Sequence, residues 1–335
     1  MKKLGIGVIG LGYWGPNFVR VATEVESVDV VWCCDKYLLA LDKFRRKFPN
    51  IKAVSDYKKA LAEVDAVIVV TPAKTHREVV SYCLAHGKHV LVEKPLATNC
   101  QDALELAKLA KEFKRVLMVD HIFLFNPSVV EFKKRIDDGE LGDLWYLNAF
   151  YTALGPIRRD TNVLFDLGPH WIYTISHLVG ASPISVSAHG EKYLSSDLED
   201  VVFLSLRFPG KVLANLALSW VAPRKVRTIE VIGSKKMALF DDASPDQKLT
   251  IYDKGVHLEP SSEAFIDYQA IYRDGEIRIP KIEKAEPLKS GFLQFLEAIR
   301  NKQEPMVNGE AGFETVKVLE AAQKSLNSGG SVVKL

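Results

Sequence analysis

Residues 4–15 read LGIGVIGLGYWG, an apolar run that passes directly into a glycine-rich turn. The run predicts a buried β-strand, and the spacing Gly10-x-Gly12-x-x-Gly15 predicts a turn that opens a helix. In such a turn the first glycine allows the tight bend, the second lets backbone approach a pyrophosphate, and the third lets the helix pack closely on the strand. The helix N-terminus supplies N–H donors and the positive end of its dipole. The stretch therefore predicts the start of a Rossmann domain that binds a dinucleotide.

An acidic residue, Asp35, stands twenty residues after Gly15, at the end of the second predicted strand. A carboxylate in this place can accept hydrogen bonds from both hydroxyls of the adenosine ribose, and it repels a 2′-phosphate. Its position therefore favours NAD over NADP as the cofactor. Lys36 and Arg45 are close enough in sequence to keep NADP open as the less favoured alternative.

The first 121 residues alternate short β-branched runs with helical patterns. Continuous apolar strands separated by crossover helices are typical of a parallel sheet that is covered on both faces. We therefore predict an α/β domain at 1–121 with a doubly wound Rossmann sheet. Its predicted strands are 4–9, 28–34, 66–70, 89–92 and 116–119, and its predicted helices are 38–48, 75–85 and 99–113.

The remainder of the chain has a different rhythm, in which strand-like runs follow one another with few helices between them. Strands in succession predict a large open, mostly antiparallel sheet, so we expect an α+β domain at 122–335. The sequence leaves open which domain the last helix packs on. The predicted strands are 144–151, 185–190, 201–208, 212–220, 226–232 and 237–241, and the predicted helices are 129–138, 166–178, 291–300 and 310–326.

The composition is that of a globular protein with balanced charge, at 47% hydrophobic residues, 26% charged residues and a net charge of +2. No apolar run approaches the roughly 20 residues of a membrane-spanning helix. No basic stripe is present to neutralise the phosphates of a nucleic acid. We therefore expect neither a membrane nor a nucleic acid among the partners.

The cysteines lack C-x-x-C spacing and have apolar neighbours, which predicts buried free thiols in a reducing cytoplasm. They are Cys33, Cys34, Cys83 and Cys100. His76, His121 and His177 have no metal-ligand spacing with one another or with the cysteines, so we expect no metal.

A sheet with helices on one side has a second face to cover, and aromatic residues fall on its predicted strands. Trp145, Phe150, Trp220 and the aromatic residues at 265–272 would supply this apolar surface. We therefore predict a homodimer or homotetramer.

Two further motifs follow predicted strands of the first domain, where the ligand crevice of an open α/β sheet lies. They are Thr71-Pro72, with His76 after it, and Glu93-Lys94-Pro95. In this order, with GLGYWG and Asp35 before them, they resemble the Gfo/Idh/MocA oxidoreductases. The second half is similar too, with His121, Asn126-Pro127 and an Asp166-x-x-x-His170 motif.

This resemblance implies hydride transfer between NAD(P) and a secondary alcohol of a sugar, a polyol or a nucleotide sugar. It implies that Lys94, Asp166 and His170 are catalytic. The residues it implies along the cofactor are Gly10, Gly12, Tyr13, Trp14, Gly15, Asp35, Thr71, Pro72, His76, Glu93, Lys94 and His121. The family also implies a Rossmann domain joined to an α+β domain whose open sheet is used for oligomerisation.

The substrate is less firmly indicated than the cofactor, because Ala73 and Leu124 stand where the family often has Asn and Arg. The combination of Tyr13-Trp14-Gly15-Pro16-Asn17 with Arg159-Asp160-x-Asn162 most resembles members that act at C3 of nucleotide-activated amino sugars. Guanidinium groups bind phosphates and carboxylates in a bidentate manner. We therefore predict that the substrate contacts are Lys94, Arg158, Arg159, Asn162, Asp166 and His170.

Residues four apart share one helix face, so Asp166 and His170 can face the same cleft. An imidazole suits the role of base near neutral pH, with Asp166 orienting it or binding a neighbouring hydroxyl and Lys94 beside the reacting oxygen. Simpler structural roles remain open: Asp166 as a helix cap, His170 as a half-buried histidine and the arginines as an exposed loop pair. Two other functions also remain open, a glycoside hydrolase that keeps its NAD and a non-catalytic NAD-binding sensor.

Overall fold

The computed structural model describes residues 3–194, 197–260 and 268–335 and divides into two compact units. The first unit holds Met1–Phe125 and Ala285–Glu320, and the second holds Asn126–Lys284 and Ala321–Leu335. These units differ from the predicted domains 1–121 and 122–335, because the chain returns to the first unit near its end.

The first unit is built on a six-stranded sheet in the order β3-β2-β1-β4-β5-β6, in which every neighbouring pair is parallel. This confirms the predicted Rossmann sheet and adds the three-residue strand β3, too short to give a pattern in the sequence. The carboxyl ends of β1, β4, β5 and β6 therefore lie at one edge. The elements are β1 Leu4–Ile9, α1 Gly15–Thr23, β2 Val28–Cys34, α2 Leu38–Lys47, β3 Lys52–Val54, α3 Tyr57–Ala60, β4 Ala66–Val69, α4 His76–Ala85, β5 His89–Glu93, α5 Cys100–Glu112 and β6 Leu117–Asp120.

The second unit contains a nine-stranded sheet in the order β14-β13-β12-β11-β7-β10-β9-β8-β15. Within the described part of this second sheet, only the pair of β10 with β7 is parallel, so the predicted open and mostly antiparallel sheet is confirmed. The elements after β6 are α6 Pro127–Asp137, β7 Leu144–Leu154, α7 Val163–Val179, β8 Ser185–Glu191, β9 Val201–Arg207, β10 Leu213–Ser219, β11 Val221–Gly233, β12 Met237–Asp241, β13 Leu249–Pro260, β14 Tyr268–Arg278, α8 Pro287–Asn301, α9 Gly309–Asn327 and β15 Val333–Lys334.

One face of the second sheet packs against α7, and its other face carries exposed aromatic side chains. Phe150 on β7 and Phe203 on β9 both pair with Ala217 of β10, so the two rings flank one alanine, and they are 41% and 57% exposed. Trp145 is exposed too, but it is five residues from Phe150, so strand alternation places it on the opposite face, and Trp220, also predicted on the exposed face, is buried. Of the predicted aromatic residues at 265–272, Tyr272 is exposed and Phe265 lies outside the described residues.

Within the described ranges, no helix is both long and apolar enough to cross a membrane. In the same ranges, no group of three or more His, Cys, Asp or Glu side chains could hold a metal ion.

Close contacts in the first unit explain why α8 belongs to it. A Cβ atom on Gly291 would stand 2.9 Å from the Cδ2 atom of Phe125, so the helix backbone lies directly on that ring. Arg20 of α1 pairs with Glu286, the residue before α8, and Lys289 pairs with Glu24. The sequence offers no sign of this return, because both α8 and its partners read as ordinary amphipathic helices.

Replacing Gly291 with leucine should therefore lower the free energy of unfolding by about 1–3 kcal/mol, the usual effect of overpacking a well-packed contact. Urea denaturation followed by circular dichroism measures the change. The control is Glu297→Leu, an exposed position on the same helix, which should remain within about 0.5 kcal/mol of the unaltered protein. Equal stability of the two variants would contradict the close packing of α8 on Phe125.

Candidate functional site

The glycine turn after β1 has the geometry that the sequence predicts. Gly10 has a φ of +101°, and a Cβ atom there would stand 2.6 Å from the carbonyl oxygen of Val70. A Cβ atom on Gly15 would stand 2.3 Å from the carbonyl oxygen of Gly10. Gly12 has open space, with no atom within 4 Å of an ideal Cβ position. The backbone at Gly12 can therefore approach a pyrophosphate, which fits a bound dinucleotide.

Asp35 joins the end of β2 to this turn. Its Oδ2 atom accepts a hydrogen bond from the backbone N–H of Leu11 at 2.8 Å, and its Oδ1 atom accepts one from Tyr37 at 2.9 Å. Each carboxylate oxygen can accept a second hydrogen bond, so the group keeps capacity for ribose hydroxyls. Lys36 lies over the Tyr37 ring and Arg45 pairs with Asp42, so both bases that kept NADP open have other contacts.

A cavity of about 520 Å³ lies between the glycine turn and α2. Its lining includes Leu11, Gly12 and Pro16 from the turn and Tyr37 and Lys43 from the α2 side. Ligand pockets of this size hold small organic molecules, so there is room beside the turn for part of a dinucleotide. Tyr13 and Trp14 lie edge to face at the exposed tip of the turn.

His76 joins two strand-end turns. Its Nε2 atom lies 2.8 Å from the carbonyl oxygen of Thr71, and its Nδ1 atom lies 2.9 Å from that of Pro95. The side chain is fully buried, and this burial lowers the pKa of the imidazole below its usual range despite the raising effect of the carbonyls. These contacts give His76 a positioning role on the turns after β4 and β5, and the cofactor contact that the resemblance implies stays a prediction.

Four ionisable residues meet where β5 and β6 end. Glu93 of β5 pairs in register with Asp120 of β6. Lys94 follows Glu93 in the chain, and His121 follows Asp120. Asp120 and His121 are only 4% and 2% exposed. Burial, and then the positive charge of Lys94, lowers the pKa of His121 to about 3, so this imidazole is neutral near neutral pH.

Asp120 is the member of this cluster that the sequence analysis missed. Burial raises the pKa of its carboxyl well above the usual range, the negative charge of Glu93 raises it further, and Lys94 opposes both effects. A signal was present, since Asp120 follows the predicted strand at 116–119 and precedes His121. A carboxyl group beside Lys94 can hold a proton close to a predicted catalytic amine.

In the second unit, Asn162 caps α7. Its Oδ1 atom accepts from the N–H of Phe165 at 3.1 Å, and its Nδ2 atom donates to Glu199 at 2.6 Å and to Gln323 at 2.8 Å. These bonds use both ends of a buried amide, so the observed role of Asn162 is structural, and its contact with substrate stays a prediction. Asp166 therefore does not cap the helix and lies within its first turn.

The carboxylate of Asp166 is held from two sides. The indole N–H of Trp220 donates to Oδ2 at 3.2 Å, and the Nε atom of Arg158 lies 3.4 Å from Oδ1. Trp220 is thus a buried support of the predicted acid, although nothing in its sequence neighbourhood marked it. Arg159 is exposed in the same loop as Arg158.

One turn further along α7, the ring of His170 lies against the ring of Tyr151, with their centroids 5.7 Å apart. The guanidinium of Arg227 covers Tyr151, at 4.6 Å from the ring centroid. Burial raises the pKa of Tyr151 to about 12, so the phenol stays protonated near neutral pH. Of the predicted catalytic residues, the second unit therefore groups Asp166 with His170, and the first unit places Lys94 with Glu93.

The raised pKa of Asp120 predicts a pH dependence of stability. In the unfolded chain an aspartate titrates near pH 4, so folding favours its protonated form, and stability is lost as pH rises from about 4 through the folded-state pKa. Asp120→Asn should remove this loss. Its free energy of unfolding relative to the unaltered protein should therefore increase from about pH 4 upward, as measured by urea denaturation.

The matched control is Asp138→Asn, the same substitution at an exposed position, and we expect the change with pH for Asp120→Asn alone. If Asp120→Asn and the unaltered protein gave parallel curves, Asp120 would be ionised in the folded state near neutral pH.

Comparison with known proteins finds similarity in both halves of the chain. Two family models match the chain, an oxidoreductase family with an NAD-binding Rossmann fold at residues 4–121 and a GFO/IDH/MocA C-terminal domain at residues 129–239. Together they span both the glycine turn and the Asp166-x-x-x-His170 motif.

Similar proteins extend over nearly the whole chain. The UDP-N-acetylglucosamine 3-dehydrogenase of Acidithiobacillus ferrooxidans is 29% identical over 326 residues, which cover 96% of each protein. The NAD(+)-dependent scyllo-inositol 2-dehydrogenase of Bacillus subtilis is 26% identical over 341 residues, with 97% of this chain and 93% of that protein covered.

A solved structure shows the same fold with a cofactor. It is GenD2 from gentamicin A biosynthesis in complex with NAD. The two proteins are 25% identical and superpose with a TM-score of 0.83, and the match covers 100% of this chain and 97% of GenD2. From the motifs, the sheet order and these matches, the chain belongs to the Gfo/Idh/MocA family of NAD-binding oxidoreductases.

Proposed function

We propose that the protein is an NAD-dependent dehydrogenase that oxidises a secondary alcohol of a nucleotide sugar, at C3 of a UDP-amino sugar. The observation that carries this proposal is the arrangement on α7, where Asp166 is held by Trp220 and Arg158 one turn before His170. The similarity to a UDP-N-acetylglucosamine 3-dehydrogenase over 96% of the chain supports the choice of substrate class.

Alcohol oxidation removes a hydride from carbon and a proton from the hydroxyl. NAD, when bound, supplies the hydride acceptor, so the protein must position the carbon and remove the proton. His170 suits the removal of the proton, because an imidazole accepts a proton near neutral pH and its ring is held against Tyr151. Asp166, fixed by the indole of Trp220, would orient His170 or bind an adjacent hydroxyl.

Lys94 would hold the reacting oxygen through its ammonium group. The N–H of Lys94 donates to the Oε2 atom of Glu93 at 3.2 Å, and His76 holds the carbonyl of the following Pro95. The backbone on both sides of the lysine is therefore fixed, which favours a defined position for its side chain.

The exposed pair Arg158 and Arg159 would bind the diphosphate of the substrate. The Nε atom of Arg158 lies 3.4 Å from the Oδ1 atom of Asp166, so a substrate phosphate bound by this arginine would lie close to Asp166. NAD is the preferred cofactor in this proposal, because the carboxylate of Asp35 lies beside the glycine turn and can accept the hydroxyls of the adenosine ribose.

We also place the protein in a reducing cytoplasm, since none of the four cysteines forms a disulfide within the described ranges, and Cys33, Cys34 and Cys83 are buried. The exposed face of the second sheet favours a homodimer or homotetramer. Phe150 and Phe203 lie on either side of Ala217, and exposed Tyr146 pairs with exposed Leu213 on the same strands. Large apolar side chains on adjacent strands are typical of an interface between identical subunits.

Dehydrogenase activity is tested by following NADH formation with UDP-N-acetylglucosamine, free hexoses and inositols. We expect NADH only with the nucleotide sugar. Lys94→Ala and His170→Asn should each lower kcat at least about 100-fold, as removal of a catalytic acid or base does. Both variants should still bind NAD in a fluorescence titration, and the exposed Lys108→Ala should retain full activity.

The two other functions give different results. Release of UDP without net NADH would establish a hydrolase that keeps its NAD. Binding of NAD with neither NADH nor UDP release across the panel would instead establish a sensor.

The interface is tested with Phe203→Glu, which places a charge in the middle of the exposed aromatic patch. Light scattering after size exclusion should show a multiple of 37.4 kDa for the unaltered chain and 37.4 kDa for the variant. The exposed Lys211→Glu, outside the patch, should leave the larger mass unchanged. A monomeric mass for the unaltered chain would exclude the proposed oligomer.

A further inference from the structure

A second cavity, of about 540 Å³, lies entirely within the first unit. It is bordered by His89, where β5 begins, and by Val116 and Leu117, where β6 begins. Lys94 and His121 follow the opposite ends of these two strands. The cavity is therefore at the far edge of the sheet from the predicted cofactor turns, and its size is that of a metabolite-binding pocket.

The charged side chains that line this cavity are mostly basic. There are four bases, Lys111, Lys114, Arg115 and Lys302, and two acids, Glu304 and Glu310. Lys111 pairs with Glu310, and Glu304 accepts a hydrogen bond from Asn308 at 2.5 Å.

Three cations have no ion-pair partner in the described part of the chain, but Glu304 keeps its negative charge because Asn308 is neutral, so the four bases and two acids give the lining a net charge of +2. Among the described residues, the side chains of Lys114, Arg115 and Lys302 form no ion pair and no hydrogen bond, and the Nε atom of Arg115 is buried. A buried donor without an acceptor costs free energy, and neighbouring positive charges repel one another. The buried Nε atom of Arg115 therefore lacks an acceptor in a cavity of net positive charge, and a bound anion would supply both an acceptor and a balancing charge.

The effect of this charge is visible at His89. Burial, and then the positive charge of Arg115, lowers the pKa of the imidazole to about 4. Its Nδ1 atom accepts the N–H of Val116 at 3.0 Å, as a neutral ring can. His89 is therefore uncharged near neutral pH and adds no further positive charge.

Lys114 and Lys302 also have unusual backbone conformations, with φ values of +50° and +53°. Glycine adopts this left-handed conformation without strain, and it is the common residue just after a helix. Here lysine stands just after α5 and at the end of α8, on the rim of one cavity. The helix ends offset part of the lysine charge, but each end carries only about half a negative charge.

The rest of the lining is apolar. Ala107 and Ala110 of α5, Leu117 of β6, Ile299 of α8 and Pro305 form this surface. A ligand that matches both the basic and the apolar part of the lining has a compact anionic group and an apolar portion.

We propose that this cavity binds a small phosphorylated metabolite, with its phosphate against Arg115, Lys114 and Lys302 and its apolar part against α5 and Ile299. A guanidinium and two ammonium groups around one anion supply several charge-assisted hydrogen bonds. The site is separate from the dinucleotide turn and does not depend on the proposed dehydrogenase activity.

The test uses the full chain saturated with NAD, which blocks the dinucleotide site, and phenyl phosphate as the probe. Isothermal titration calorimetry should show one site. Inorganic phosphate should bind there about tenfold more weakly, because it lacks the apolar ring. Arg115→Gln and Lys302→Gln should each weaken phenyl phosphate binding at least about tenfold, because each loses a charged partner of the anion.

The matched control is Lys108→Gln, on the same helix α5 but outside the cavity, which should bind phenyl phosphate like the unaltered protein. Unchanged thermal unfolding and NAD affinity of the two test variants establish that they are folded. The proposal is overturned if NAD-saturated protein binds no phenyl phosphate, if the probe competes with NAD, or if both folded variants bind it as tightly as Lys108→Gln.

Discussion

The parallel direction of the first sheet is the constraint on which the cofactor site depends. Because β1, β4, β5 and β6 all run the same way, each strand delivers its following turn to one edge. Strand direction alone therefore brings together the glycine turn, the Thr71 turn and the Glu93-Lys94 turn. The same direction sends the beginnings of β5 and β6 to the other edge, where the basic cavity lies.

The first unit holds several polar groups that a purely structural core would exclude. His76, Asp120 and His121 are buried next to the turns that carry the predicted cofactor contacts. Burial of such groups costs stability unless hydrogen bonds or charges compensate, and it is common where a site must be rigid. For His76 the compensation is visible, since the one N–H of a neutral ring can donate to the carbonyl oxygen of Thr71 or to that of Pro95. The predicted catalytic lysine, Lys94, therefore lies close to buried side chains whose pKa shifts favour their neutral forms.

Sequence patterns predicted the first sheet well, because its strands are continuous apolar runs and Gly10, Gly12 and Gly15 have a specific backbone task. They predicted Asp166 and His170 through local spacing on one helix. They missed the role of Trp220, which depends on a hydrogen bond to Asp166, 54 residues away in the chain. They also missed Asp120, whose role depends on its pairing in register with Glu93. They also missed β13 and β14, where charged residues interrupt the apolar alternation. Long-range pairing leaves little trace in a single sequence, and this explains both the successes and the omissions.

The return of residues 285–320 to the first unit has a consequence for how the chain is made. A ribosome releases the six strands of the first sheet early, but the segment that covers Phe125 and Val119 emerges only after strands β7 to β14 of the second sheet. Until then the apolar surfaces around β6 are exposed, and the first unit cannot complete its core on its own. These exposed apolar surfaces make the incomplete first unit prone to aggregation while the second unit is synthesised.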